Sequence, residues 1–209
     1  MFIPQAQQIQ ATWSGGTTHT ICFYPPESNA STGNYVFWVN IATIEHTARY
    51  SYFPGYQRLH LILNDPGLIL QFQSPDQVTK LGQFEAHHFD GARPVEATPI
   101  ADDALAFNVV MQHGIQAKTR LITATESTLP STWLDTPGES QMVHYIFYGV
   151  RGQFVITLDE QVWLNVGDAY LVTPEHQSKL GARRAIFRTS SPDAIGLVCK
   201  IISPAEISP

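Results

Sequence analysis

The chain has 209 residues, of which 44% are hydrophobic and 14% charged, and its formal net charge is −6 at pH 7. A hydrophobic fraction of this size excludes a disordered chain, and the acidic balance disfavours a surface that binds nucleic acid. No segment approaches the roughly 18 uninterrupted apolar residues of a membrane helix, and the N-terminus lacks the features of a secretion signal. We therefore expect a cytoplasmic protein that binds neither nucleic acid nor membrane.

The segment WSGGTT, residues 13–18, lies before the first apolar run of the chain. It has two interpretations. In the first, the glycines form a turn that leads into a strand, and Trp13 covers the core. In the second, the glycines let the backbone approach a bound group closely, and the threonine hydroxyls add donors and acceptors beside it.

Short apolar segments rich in Val, Ile, Thr, Phe and Tyr then follow one another along the chain, with turn residues between them. The 14 Gly and 14 Pro residues fit many short strands, and no segment of about 12 residues has helical periodicity. The sequence thus predicts an all-β protein. The predicted strands are 21–24, 35–44, 58–64, 68–72, 106–111, 118–125, 143–149, 153–158, 169–173, 185–189 and 195–201.

An internal repeat becomes visible when Gly67 is aligned with Gly152. The alignment places LHLILNDPGLILQF over HYIFYGVRGQFVIT and TKLGQFEAHHFDG over VWLNVGDAYLVTP. Two halves with the same pattern of strands and turns predict two β-barrels or jelly rolls in one chain. We expect an N-terminal barrel over residues 1–113 and a C-terminal barrel over residues 114–209.

The segment NVGDAYLVTPEH, residues 165–176, resembles the second motif of the cupins, which are small jelly-roll barrels. The Gly-Asp pair predicts a hairpin turn, and the apolar run after it predicts a strand inside the barrel. A metal-binding cupin would carry a His-x-His pair and a later Glu in its first motif. Here HYIFYGVRG has His144 followed by Tyr145, so no cofactor or metal is expected.

A set of motifs in the first half of the chain resembles the HutD/Ves family in order and spacing. The resemblance implies a cytoplasmic bicupin associated with histidine-utilisation operons, with a regulatory or small-molecule-binding role. Where many relatives have an Arg-Glu pair, this chain has His19 and Thr20, and Ala106 stands where the family often has Asp; these departures favour binding over acid–base catalysis. The motifs are WSGGTT, FWVNIATIE (37–45), FPGYQR (53–58), FDG (89–91) and FN (107–108).

Arg58 is the leading candidate for ligand binding. It follows a turn and opens a strand, so at a barrel mouth its guanidinium could clamp a carboxylate with two parallel hydrogen bonds. His60, two residues later, lies on the same face of that strand. Asn108 is a polar amide in the apolar strand AFNVVM, where either neighbouring backbone or a ligand must satisfy it.

The remaining candidates lie in turns. Asp90 precedes Gly91, and the first interpretation of this pair is a turn. The family motif FDG also makes Asp90 a candidate for ligand binding. We expect Trp13, Gly16, Thr17 and Thr18 to form a loop over the barrel mouth. Together these residues predict a site for a small anionic metabolite.

Two alternatives stay open at this point. One is a metal-dependent cupin enzyme of isomerase or dioxygenase type that uses His60, His87 or His144. His87 and His88 are adjacent on a strand-like segment, so they must point to opposite faces. The other alternative is a structural or protein-interaction module with filled barrels, and the sequence is also compatible with a homodimer.

Overall fold

The computed structural model describes residues 1–73, 77–123, 128–129, 133, 138, 140–157, 160–175, 186–189 and 191–205. Within them the chain forms eighteen β-strands, joined in antiparallel pairs, and a short 3-10 helix at Gln5–Gln7. The prediction of an all-β protein is confirmed. In the described residues, no helix has the length and apolarity that crossing a bilayer requires.

The strands have the following bounds along the chain. They are β1 (Phe2–Ile3), β2 (Ile9–Trp13), β3 (Gly16–Tyr24), β4 (Phe37–Ile44), β5 (Ala48–Arg49), β6 (Tyr56–Ile62), β7 (Leu68–Phe72), β8 (Val78–Leu81), β9 (Ala86–Asp90), β10 (Val95–Pro99), β11 (Ala104–Gln112), β12 (Gln116–Thr123), β13 (Gln141–Arg151), β14 (Phe154–Thr157), β15 (Gln161–Leu164), β16 (Ala169–Val172), β17 (Ile186–Thr189) and β18 (Ile195–Pro204).

The chain divides into two compact units. The N-terminal unit comprises Gln8–Gly114, and the C-terminal unit combines Met1–Gln7 with Ile115–Ile207. The sequence did not predict that the first seven residues lie with the second half. They do so because β1 pairs with β16, Phe2 opposite Tyr170, and because the Asp168 carboxylate accepts a hydrogen bond of 3.0 Å from the backbone N–H of Gln5.

The N-terminal unit consists of a large and a small sheet. The large sheet has the strand order β2-β3-β4-β11-β6-β9, and the small sheet has the order β5-β10-β7-β8. Side chains from both sheets pack into one core. This core is formed mainly by aliphatic residues of β4, β6, β7, β10 and β11, among them Ile44, Ile62, Leu68, Leu70, Ala97 and Ala106.

The C-terminal unit also has a large and a small sheet. Its large sheet has the order β1-β16-β13-β18-β12, and its small sheet has the order β15-β14-β17. Its core is formed by larger side chains, including Tyr145, Phe147, Phe154, Ile156, Leu164 and Val198. The Gly-Asp turn that the sequence predicted lies between β15 and β16: Gly167 has φ +86°, and Asp168 donates its backbone N–H to the carbonyl of Asn165.

The order of strands repeats between the units. The series β4-β11-β6-β9 in the first large sheet matches β12-β18-β13-β16 in the second, and β10-β7-β8 matches β17-β14-β15. Gly67 and Gly152, on which the two halves of the sequence were aligned, both have positive φ and both lie between matching strands.

Candidate functional site

The candidate site is built on one face of the large sheet of the N-terminal unit. Side chains two residues apart on a strand share a face, and residues opposite one another on paired strands share it too. Asn108 lies opposite Asn40 on one side and opposite His60 on the other, so three polar residues form a row across β4, β11 and β6. Arg58 is two residues from His60 on β6, and Trp38 is two residues from Asn40 on β4, so both lie on the same face as the row.

A cavity of about 280 Å³ opens on this face. Arg58 is the one charged side chain among the described residues that line it, and the other polar side chains come from both the sheet and the adjoining loops. The lining residues are Ala11, Thr12, Trp13, Thr18, Ala30, Ser31, Trp38, Asn40, Ala42, Tyr50, Ser51, Phe53, Arg58, Asn108 and Val110.

The Arg58 guanidinium is buried with no carboxylate beside it in the described part of the chain. Arg58 is 7% exposed. Its Nη2 donates to the backbone carbonyl of Ser51, and its buried Nε has no hydrogen-bond partner among the described residues. The guanidinium carbon lies 4.6 Å from the centre of the Phe53 ring and 5.2 Å from that of Tyr50. Burial lowers the pKa of Arg58 to about 10, so the group remains a cation at pH 7.

A chain of hydrogen bonds runs along the polar row. The Tyr50 hydroxyl lies 3.2 Å from Nε2 of His60, and Nδ1 of His60 is hydrogen-bonded to the side-chain oxygen of Asn108. The amide nitrogen of Asn108 then donates to the side-chain oxygen of Asn40 at 3.3 Å. His60 is fully buried, and this burial lowers its pKa to about 4, so its imidazole is neutral at pH 7.

The WSGGTT segment forms a β-hairpin, not the predicted loop over the mouth. Trp13 is opposite Gly16 in the β2–β3 pair, and the indole N–H donates to the carbonyl of Thr17. A Cβ on Gly15 would lie 2.3 Å from the Trp13 ring, and one on Gly16 would lie 2.2 Å from the carbonyl oxygen of Thr43. The glycines are therefore explained by close packing, of Gly15 against the Trp13 ring and of Gly16 against the backbone of β4.

Four of the eight predicted site residues line the cavity, namely Trp13, Thr18, Arg58 and Asn108. Gly16 and Thr17 lie in the hairpin and are not among the lining residues, and His60, which is opposite Asn108 in the β6–β11 pair, is hydrogen-bonded to its side chain. The ligand-binding roles of all of them stay predictions.

Asp90 is not brought to the cavity. One oxygen of its carboxylate accepts the backbone N–H of Ala92 at 2.7 Å, and the other lies 3.3 Å from Nε2 of His113. The first contact belongs to the turn after β9, and the second joins this turn to the residue that follows β11, so the arrangement matches the structural interpretation of the FDG motif.

Of the histidines named for a metal site, His60 and His87 lie opposite one another in the β6–β9 pair, but among the described residues no third ligand joins them. Both ring nitrogens of His60 are hydrogen-bonded to side chains. His144 lies in the C-terminal unit, on the opposite face of β13 from the core residues Tyr145 and Phe147. In the described part of the chain, no three His, Cys, Asp or Glu side chains gather where they could hold a metal ion. His176, the histidine of the cupin-like motif, lies outside the described residues.

A second cavity of about 660 Å³ lies over the small sheet of the same unit. Arg49 and Arg93 line it, but Glu96 lies opposite Arg49 in the β5–β10 pair, and Arg93 stacks 4.3 Å over Phe72 and donates to the side chain of Gln77. Arg93 is thus held by other side chains, and Arg49 has an acidic residue opposite it on the neighbouring strand. None of the predicted site residues lines it.

Sequence reasoning missed several lining residues. Asn40 carries the same signal as Asn108, a polar amide inside an apolar strand, and it could have been found in the motif FWVNIATIE. Trp38 and Phe53 also lie in quoted motifs. Tyr50 and Ser51 carry no signal in the sequence, because the chain between β5 and β6 brings them to the cavity.

The chain was compared with known protein families and with curated protein sequences. The model of the HutD family matches residues 5–187 of the chain. The chain belongs to the HutD family. Among curated protein sequences, none matches the chain.

Solved structures resemble this HutD-family chain over nearly its whole length. HutD from Pseudomonas fluorescens SBW25 has a TM-score of 0.66 at 15% identity, over 98% of each chain. A conserved protein of unknown function from Pseudomonas aeruginosa PAO1, PA5104, has a TM-score of 0.74 at 15% identity, over 96% of this chain and 97% of its own. Vicilin from Solanum melongena, a cupin-like neighbour, has a TM-score of 0.61 at 7% identity, over 98% of this chain and 84% of its own. At these identities the likeness concerns the fold.

Proposed function

We propose that this HutD-family protein is a cytoplasmic bicupin that binds a small carboxylate metabolite in the cavity of its N-terminal unit. In this proposal each unit is one jelly-roll barrel, and the bound metabolite serves regulation of histidine utilisation. The repeated strand order of the two units and the cupin-like neighbours support the bicupin architecture.

The observation that carries the proposal is the buried guanidinium of Arg58, which has no carboxylate beside it among the described residues. Burying a cation without a counter-ion costs free energy, and proteins normally pair such a group with an acid. Arg58 lines a cavity, where a ligand carboxylate can supply the missing counter-charge. Guanidinium and carboxylate groups also fit one another in geometry.

The other walls of the cavity favour a small, partly apolar acid. Trp13 and Tyr50 meet edge to face at 5.5 Å between ring centres, and Trp38 and Phe53 contribute two further rings. A volume of about 280 Å³ suits a small metabolite. The solved structure of HutD from Pseudomonas fluorescens is described as a formate condition, and formate is the simplest carboxylate.

Thermal unfolding in the presence of candidate acids tests the proposal. We expect urocanate, N-formylglutamate or formate to raise the melting temperature, since a ligand at 100 times its Kd stabilises the folded state by about 2.7 kcal/mol. Arg58→Ala should abolish the shift and leave the far-UV circular dichroism spectrum unchanged.

Arg49→Ala is the matched control, because Arg49 is an exposed arginine that does not line this cavity, and its shift should equal that of the wild type. An unchanged ligand shift in Arg58→Ala would refute the role of Arg58. No shift with any carboxylate would favour a protein with a purely structural or protein-binding role.

A further inference from the structure

The hydrogen bonds along the polar row of the N-terminal unit all run in the same direction from donor to acceptor. His60 is 0% exposed, Asn40 3% and Asn108 6%, so each must satisfy its polar atoms with neighbours or with the contents of the cavity. The imidazole of His60 is neutral at pH 7, as shown above, so one of its ring nitrogens carries hydrogen and the other accepts.

The partners of His60 decide which nitrogen carries the hydrogen. Nδ1 faces the side-chain oxygen of Asn108, an atom that can only accept, so Nδ1 is the donor. Nε2 is then the acceptor, and it receives the hydroxyl hydrogen of Tyr50. With its oxygen occupied by His60, the amide of Asn108 is fixed with its NH₂ group toward Asn40.

The same logic fixes the amide of Asn40. Its side-chain oxygen accepts from Asn108, which leaves its NH₂ group as the free end of the chain of hydrogen bonds. Asn40 lines the cavity, and within the described residues no acceptor is hydrogen-bonded to its amide nitrogen.

Other N–H donors around the cavity are already engaged. The indole N–H of Trp38 donates to the hydroxyl of Thr20 at 3.1 Å, and that of Trp13 donates to the carbonyl of Thr17. Among the described lining residues, the Arg58 guanidinium and the amide of Asn40 include side-chain nitrogens for which no acceptor is found.

We propose that the chain Tyr50–His60–Asn108–Asn40 holds the amide of Asn40 as a second hydrogen-bond donor for the acid that Arg58 binds, and that the cavity thereby selects a carboxylate over the carboxamide of the same shape. This inference rests on the proposed function. Asn40 is the residue that determines specificity, and His60 is a positioning residue. A carboxylate offers acceptors to both donors, whereas the NH₂ group of a carboxamide would face one of them.

The first test uses the ligand-free protein and nitrogen-15 NMR of its histidine side chains at pH 7. A resonance assigned to His60 with hydrogen on Nδ1 is expected. If the hydrogen is on Nε2, every hydrogen bond from Tyr50 to Asn40 runs in the opposite direction, and the side-chain carbonyl of Asn40 faces the cavity. This result would overturn the inference. This measurement does not depend on ligand binding.

The second test compares the binding of benzoate and benzamide, which share size and shape and differ in the group that the donors contact. The wild type should bind benzoate more tightly. In Asn40→Leu, which keeps the side-chain volume and removes the donor, the ratio of the two affinities should fall about ten-fold or more, as expected for one hydrogen bond to a charged acceptor. His60→Phe should lower the same ratio, because it releases the amide of Asn108.

Thr12→Val is the matched control, since Thr12 lines the cavity but takes no part in the hydrogen bonds from Tyr50 to Asn40. In this variant the ratio of the benzoate and benzamide affinities should stay within about two-fold of that of the wild type. Benzoate binding with an unchanged ratio in Asn40→Leu would refute the inference and leave the proposed function intact. If the wild type binds neither benzoate nor any acid of the thermal-unfolding screen, the proposed function is refuted, and the role of Asn40 with it; if it binds formate but not benzoate, the same comparison is made with formate and formamide.

Discussion

The stability of the N-terminal unit should fall steeply as the pH is lowered from 7.5 to 5, and His60 should account for much of the loss. Burial lowers the pKa of His60 to about 4, against 6.5 for an exposed histidine. Between these values the unfolded chain binds the proton and the folded protein does not, so the free energy of unfolding rises with pH. The loss begins near pH 6.5 and is complete below pH 4.

The size of the effect follows from the two pKa values. At pH 5 the unfolded state gains about 2 kcal/mol from protonation of this one residue, and below pH 4 the loss reaches about 3 kcal/mol. In a protein with a typical stability of about 5–15 kcal/mol, a change of this size is readily measured.

Urea unfolding at pH 7.5 and pH 5, followed by tryptophan fluorescence, measures the change. We expect His60→Gln to reduce the pH-dependent loss by about 2 kcal/mol, whatever its effect on stability at pH 7.5, because glutamine does not titrate. His144→Gln provides the comparison: burial lowers the pKa of His144 to about 4 as well, so it should remove a similar loss from the C-terminal unit. An unaltered pH dependence in His60→Gln would refute a neutral, buried imidazole and the hydrogen-bond chain built on it.

Two further predictions concern the same unit. Arg58→Met should raise the stability of the ligand-free protein by about 1 kcal/mol, or about 2–4 °C in Tm, because it removes a buried and unpaired cation; a lower Tm in calorimetry would show that the guanidinium supports the fold. Gly16→Ala should lower the free energy of unfolding by more than about 2 kcal/mol, since φ is +149° and a Cβ would meet the carbonyl of Thr43 at 2.2 Å. Gly55→Ala, with φ +83° and open space around it, should cost about 1 kcal/mol in the same urea titration.

The central strands were predictable from the sequence, whereas several short strands were not. β4, β6, β11, β13 and β18 are dense in branched and aromatic residues and are mostly buried, so their apolar runs stand out. β2, β8 and β15 lie at sheet edges and are half or more exposed, and their sequences IQATW, VTKL and QVWL carry no apolar run. Edge strands bury little surface, so little hydrophobic pattern is required of them.

The site was partly predictable for a related reason. Arg58 and Asn108 stand out because a charge and an amide interrupt apolar strands, and such interruptions must be satisfied somewhere. The same criterion applied to Asn40 would have found the second amide. Tyr50 could not be found in this way, because its position depends on the chain between β5 and β6, and its hydroxyl matters only once His60 is known to lie behind it.

The matching unit also carries a buried cation at this place in the topology. When Gly67 is aligned with Gly152, His60 of β6 matches Tyr145 of β13, and Tyr145 lies opposite Lys200 of β18. Lys200 is 8% exposed, and its ammonium nitrogen lies 5.7 Å from the centre of the Tyr145 ring. In the N-terminal unit, the same position holds His60 opposite Asn108, beside Arg58. The shared topology therefore accepts different polar groups at this position. Because polar and charged groups are costly to bury, the two amides and the guanidinium that line the N-terminal cavity are best explained by what that cavity binds.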